Sequence, residues 1–112
     1  ADSISVDLPR DGVRAVRAAT QTDGAYITVK DEKIIEAISD LGKVGIFAEP
    51  AGATAYAGLK RAVESGQITS DDPVLVLNTG NGLKDIKSAM RAAGEAPVIE
   101  PNMQALKKHL AR

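Results

Sequence analysis

Apolar side chains recur at helical spacing in several stretches of this chain and cluster without alternation in others. After Pro9, the positions Val13, Val16 and Thr20 fall on one helical face, with Arg10, Arg14 and Arg17 on the others. Pro9 suits a first helical turn, where its missing N–H has no intrahelical partner to lose. Asp23-Gly24 breaks this helix, and Tyr26-Ile27-Thr28-Val29 reads as a short strand. Asp31 is placed to cap a second helix whose apolar stripe is Ile34, Ile35, Ile38 and Leu41, ended by Gly42 and Gly45. Ile46-Phe47-Ala48 is a brief extended stretch that leads into Glu49-Pro50.

The spacing predicts a third helix from Ala51 to about Ser65, opening on small residues and then placing Tyr56, Leu59 and Val63 on one face. Gly66 stops it, and Thr69-Ser70-Asp71-Asp72-Pro73 has the composition of a loop. Val74-Leu75-Val76-Leu77 lacks polar alternation, as expected of a strand buried on both faces. It runs into Asn78-Thr79-Gly80-Asn81-Gly82 and a helix from about Leu83 to Ala93. A short extended piece at Ala96-Pro97-Val98-Ile99 precedes a last helix marked by Met103, Leu106 and Leu110. The order is that of an α/β protein, a partial three-layer parallel-sheet domain with helices packed on few strands. With one convincing central strand, the pattern reads as one part of a larger sheet.

Composition narrows this picture. The 112 residues are enough for one segment, 1–112, with a modest core, and an aromatic share of 3% leaves that core to small aliphatic side chains. A net charge of −1 argues against nucleic-acid binding, which calls for a basic patch. The one basic cluster, Lys107, Lys108, His109 and Arg112, reads as a solvated last turn favoured by the helix dipole. Without cysteine there is no disulfide framework, and cytoplasm is the expected compartment. No apolar stretch has the roughly 18 residues of a membrane span. The chain opens on Ala1-Asp2-Ser3 rather than methionine, consistent with processing or with a piece of a longer protein.

Two segments hold candidate chemistry. The first is the strand that ends in Asn78-Thr79-Gly80-Asn81-Gly82 before a helix, because ligands of open α/β sheets bind at the carboxyl ends of strands. Two glycines admit close backbone approach, and the Thr79 hydroxyl can both donate and accept. The same residues also suit a plain strand-to-helix turn with Thr79 or Asn81 as its cap. Lys84 lies too close to Gly82 for a phosphate-binding loop of the Walker type. The second segment is Phe47-Ala48-Glu49-Pro50-Ala51-Gly52-Ala53, where Glu49 either faces a ligand or simply favours the dipole of the helix that follows.

Together these segments carry a resemblance. Glu49-Pro50-Ala51-Gly52-Ala53, then Gly58-Leu59, the strand Val74 to Leu77, and Thr79-Gly80-Asn81-Gly82-Leu83-Lys84-Asp85 resemble the C-terminal third of the threonine synthase family. These are fold type II pyridoxal-phosphate enzymes, similar to the tryptophan synthase β chain. The opening Ser3-Ile4-Ser5-Val6-Asp7 with Pro9-Arg10, and Val29-Lys30-Asp31-Glu32, fit the same region, so the resemblance spans nearly the whole chain. The run from Thr79 to Asp85 is its most specific part.

The resemblance implies a cofactor, pyridoxal phosphate, and a site residue by residue. Thr79 takes the place of the hydroxyl that contacts the pyridine nitrogen, Glu49 that of a glutamate near the cofactor, and Gly80 and Gly82 those of backbone passing close to the ring. It implies the conversion of O-phospho-L-homoserine and water to L-threonine and phosphate, with a phosphorylated amino acid as the partner of the complete enzyme. The family's Schiff-base lysine lies upstream of this region, no lysine here matches it, and no catalytic residue is assigned. A serine or threonine dehydratase-like enzyme, which shares the Glu-Pro-x-Gly-Ala run, and a stand-alone binding module derived from such an enzyme are the competing readings. Sheet edges left open by such a segment would also favour a homo-oligomer.

Overall fold

The helical spacings of the sequence become five helices in the computed structural model, which describes residues 1–111. These are α1 (Gly12–Gln21), α2 (Asp31–Lys43), α3 (Pro50–Glu64), α4 (Ile86–Ala93) and α5 (Met103–Leu110). Helix α2 is the centre of the fold and packs against both α3 and α4. Its stripe Ile34, Ala37, Ile38 and Leu41 is buried and meets Ala48, Ala53 and Ala57 in one core. Burying these aliphatic groups supplies the main driving force for this pairing, at roughly 25 cal/mol per Å².

The helix ends have local causes. Lys30, not Asp31, is the N-cap residue of α2, and no side chain caps it; Asp31 and Glu32 instead sit in the first turn, beside its unpaired N–H groups. Gly45 adopts a positive φ of 83°, and this lets the Ile46 N–H reach back to the Leu41 carbonyl at 2.9 Å. Gly66, with a φ of 72°, ends α3 in the same way through the bond from Gln67 N–H to the Ala62 carbonyl.

The face that α3 buries differs from the expected Tyr56, Leu59 and Val63. Pro50, Gly52, Ala53, Ala57 and Ala62 are the buried ones, while Val63 is half-exposed. Ala53 and Ala57 let α2 and α3 approach closely, and larger side chains at these positions would hold them apart. Lys60 of α3 and Asp40 of α2 close the seam with an ion pair of 2.7 Å.

Among the described residues no parallel sheet is formed, and the β pairing consists of one isolated antiparallel bridge, between Ala48 and Asn81. A strand is held by ladder bonds to a neighbour, and neither Tyr26–Val29 nor Val74–Leu77 has one. Leu75 is 84% exposed, the opposite of burial on both faces. Thr28 is held instead by the Arg61 guanidinium of α3, which donates to its carbonyl. Ile27, Leu59, Ile68 and the run Val74–Leu77 line an open apolar groove of about 350 Å³ beside α3.

Helices α1 and α5 bury no residue, and the molecule is elongated, 61 × 34 × 19 Å. Its radius of gyration is 18.1 Å, against about 13 Å for a compact chain of this length. Lys107, Lys108 and His109 fall in the last turn of α5 and are exposed, as the dipole argument expects; Arg112 lies outside the described residues. No helix is long and apolar enough to cross a membrane among the described residues.

Candidate functional site

The two segments with candidate chemistry meet. The bridge Ala48–Asn81 is built from the Glu49 N–H donating to the Gly80 carbonyl and the Gly82 N–H donating to the Phe47 carbonyl, both at 3.0 Å. In this antiparallel register Phe47 stands opposite Gly82 and Glu49 opposite Gly80. Side chains two apart on a strand share a face, so the two bulky groups of one segment cover the two glycines of the other.

That pairing explains why glycine is needed. A Cβ on Gly80 would overlap the Glu49 carboxylate, and one on Gly82 would overlap the Phe47 ring. A Cβ on Gly52, one turn into α3, would overlap the Asn78 amide oxygen. The three contacts form a clasp in which backbone on one side receives side chains from the other. On the Cβ side of Gly80 and Gly82 the space is filled by the chain's own groups.

Glu49 is the buried charged residue of the clasp, only 6% exposed. It is the N-cap residue of α3 by position, though its side chain does not cap, and Pro50 follows at the first helical position. Its carboxylate instead accepts a bond from the Lys84 ammonium at 2.9 Å. Lys84 ends a 3₁₀ turn, Gly82–Lys84, fixed at both sides: Asn81 Oδ1 accepts from Leu83 N–H at 2.9 Å, and Asp85 caps α4 through Ser88. The two bonds from Ser88 hold the Asp85 carboxyl below its ordinary value, the backbone N–H contributing most.

Thr79 is exposed, next to the buried Gly80, and its hydroxyl makes no hydrogen bond to another described residue. Asn81, not Thr79, is the cap of the turn that follows. Of the residues singled out from the sequence, Glu49, Gly80 and Gly82 are thus brought into direct contact with the opposite segment, and Thr79 sits at their edge. A polar cleft of about 230 Å³ opens beside them, lined by Asp2, Ser3, Glu49, Pro50, Lys84 and Asp85. The partnership of Lys84 with Glu49 is not visible in the sequence reading.

This donor set suits one edge of an aromatic ring. An unengaged hydroxyl is available to a ring nitrogen, and a buried carboxylate with its own cation lies close by.

The chain is 40% identical to a threonine synthase of Methanocaldococcus jannaschii over 98% of its length, covering 27% of that relative. It is 38% identical to a threonine synthase of Halalkalibacterium halodurans over 98% of its length, covering 32% of it. A threonine synthase of Methanosarcina acetivorans is 33% identical over 96% of the chain, which covers 27% of that protein. The chain therefore spans about a quarter to a third of the length of these curated relatives. Residues 1–80 match the pyridoxal-phosphate dependent enzyme family, and the chain belongs to that family.

Proposed function

We propose that this chain is a segment of a threonine synthase, an enzyme that converts O-phospho-L-homoserine and water to L-threonine and phosphate. The observation that carries this reading is the clasp, which brings the Glu49-Pro50 corner and the Thr79–Asp85 turn into one site, as the resemblance of both segments to that enzyme requires. The similarity to proteins named threonine synthase along almost the whole chain supports it.

Thr79, Glu49, Gly80 and Gly82 would hold the ring side of pyridoxal phosphate. When bound, the cofactor supplies an electron-withdrawing ring that stabilises negative charge developing on the substrate carbon. Thr79 would donate a hydrogen bond from its hydroxyl to the ring nitrogen. A hydroxyl gives up no full proton as a carboxylic acid or an ammonium does, so the nitrogen stays uncharged and the pull on electrons stays moderate. That suits elimination and replacement. Glu49, packed on Gly80, would border the site with a fixed carboxylate. The lysine that anchors the cofactor and the ligands of the substrate phosphate would come from other parts of the enzyme.

The segment would form the C-terminal part of the large cofactor-binding domain. Val74–Leu77 and Tyr26–Val29 would join a parallel sheet whose other strands lie elsewhere in the protein, and that sheet would cover the apolar groove beside α3. A cytoplasmic enzyme that assembles as a homo-oligomer fits the same reading.

The test is the complete enzyme assayed on O-phospho-L-homoserine, L-serine and L-threonine, with Thr79→Val and Thr79→Ser beside it. Phosphate release from the phosphorylated substrate, reduced about a hundredfold in Thr79→Val and largely kept in Thr79→Ser, is the expected result. Deamination of serine or threonine as the main activity would assign the segment to the dehydratases instead.

A further inference from the structure

Lys84 has no role in the reading above, yet it makes the tertiary contact that the buried carboxylate relies on. It spans 35 positions of sequence to reach Glu49. Its own side chain is 61% exposed while that of Glu49 is 7% exposed. The asymmetry matters. An exposed lysine has little packing to lose, whereas a carboxylate taken out of water needs a partner.

The turn that presents Lys84 is built to place it. Asn81 closes the turn from one side, the Lys84 and Asp85 N–H groups bond back to the Asn81 and Gly82 carbonyls at 3.1 Å, and Asp85 starts α4. The Glu49 side chain is bounded on one side by Gly80, where even a methyl group would not fit, and on another by the ammonium. The residue as a whole is buried.

We propose that Lys84 is a positioning residue for Glu49: the charge-assisted bond across the clasp fixes the carboxylate against Gly80 and so sets the wall that the cofactor ring meets beside Thr79. The proposal rests on the placement of the cofactor given above. Lys84 touches neither cofactor nor substrate in this role. Without it the Glu49 carboxylate has no cation partner across the clasp, and its place against Gly80 is no longer fixed by charge.

The experiment uses the complete enzyme carrying this segment, stripped of cofactor and titrated with pyridoxal phosphate. Lys84→Met, Lys84→Arg, Glu49→Gln and the Lys84→Met/Glu49→Gln double variant are compared by dissociation constant and by the absorbance band of the bound cofactor. Expected are an about tenfold weaker affinity and a shifted band in Lys84→Met, recovery of most of both in Lys84→Arg, and a double variant no worse than Glu49→Gln alone. Parental affinity and spectrum in Lys84→Met, or effects of the two single changes that multiply in the double variant, would overturn the proposal. So would a loss of thermal stability in cofactor-free Lys84→Met that accounts for the whole change, since that marks a merely structural role. If Glu49→Gln itself keeps the parental affinity and band, the placement of Glu49 at the cofactor fails first, an outcome distinct from failure of Lys84 alone.

Discussion

Gly80 and Glu49 face each other across the clasp with no room for a methyl group between the glycine Cα and the carboxylate. Gly80 and Glu49 are both buried, and the bond from Glu49 N–H to the Gly80 carbonyl holds the two backbones together, so the carboxylate would have to swing out of its place to admit a methyl group. Gly80→Ala is therefore expected to destabilise the protein by about 1–3 kcal/mol, the usual range for overpacking. Urea denaturation reads it, and an unchanged midpoint would mean that the carboxylate does not lie where it is placed here.

Gly82 meets a softer neighbour. The Phe47 ring that a Cβ would strike is partly exposed and free to swing outward. Gly82→Ala should cost about 1 kcal/mol, and that cost should shrink in a Phe47→Ala background. Additive losses in the double-mutant cycle would show that the ring and the glycine do not interact.

In the core, Ile38 of α2 is buried against the small residues of α3. Removing its branched side chain leaves a hole that alanines on the facing helix cannot fill. Ile38→Ala should lower unfolding free energy by about 2–5 kcal/mol. Val13→Ala on α1, whose side chain is exposed, should change it by less than about 0.5 kcal/mol. Thermal melts of the two variants side by side give the comparison.

Acid should weaken the fold through specific carboxylates. Bonds from Ser88 lower Asp85, bonds from Lys60 and then Lys43 lower Asp40, and the backbone and hydroxyl of Thr69 lower Asp72, all from an ordinary value of 3.8. Each group binds its proton less readily in the folded state than in the unfolded one. Their stabilisation is therefore complete above the ordinary value and disappears as pH falls through the lowered folded values. Lys60 has the opposite sign: its hydrogen bond to Asp40 raises it, so its contribution holds below 10.5 and is lost only at higher pH. Asp85→Asn keeps a side chain able to cap α4 but removes the charge, and stability should then depend less on pH in the acid range. An identical slope below pH 4 in the parent and in Asp85→Asn would show that Asp85 plays no part.

Much of this was legible in the residues, for reasons that differ from element to element. Helix α2 was readable because its apolar stripe meets partners within the chain. Helix α3 was readable in extent but not in which side it buries, because alanine and glycine carry little hydropathy signal while deciding how closely helices approach. The predicted helix from Leu83 is a 3₁₀ turn followed by α4, because Asp85 takes Ser88 as a capping partner and restarts the helix there. The apolar character of Val74–Leu77 was legible, but burial depends on neighbours, and among the described residues no strand pairs with this run. At the site, the meeting of Glu49 with the glycine-rich turn follows from a register fixed by two backbone bonds, and no local pattern announces a register between segments some thirty positions apart. The pairing of Lys84 with Glu49 emerges only in three dimensions.

The bridge at Ala48 and Asn81 ties off a loop of about thirty residues, and closing a loop of that size is entropically cheap compared with recruiting distant chain. Everything needed to knot it (the Pro-led helix, the glycine-bearing turn and the lysine on that turn) is encoded within one short stretch of the polypeptide. The clasp can thus take shape as soon as this stretch leaves the ribosome. The exposed connection between Gly66 and Pro73 is the place where insertions could accumulate over evolutionary time without disturbing it.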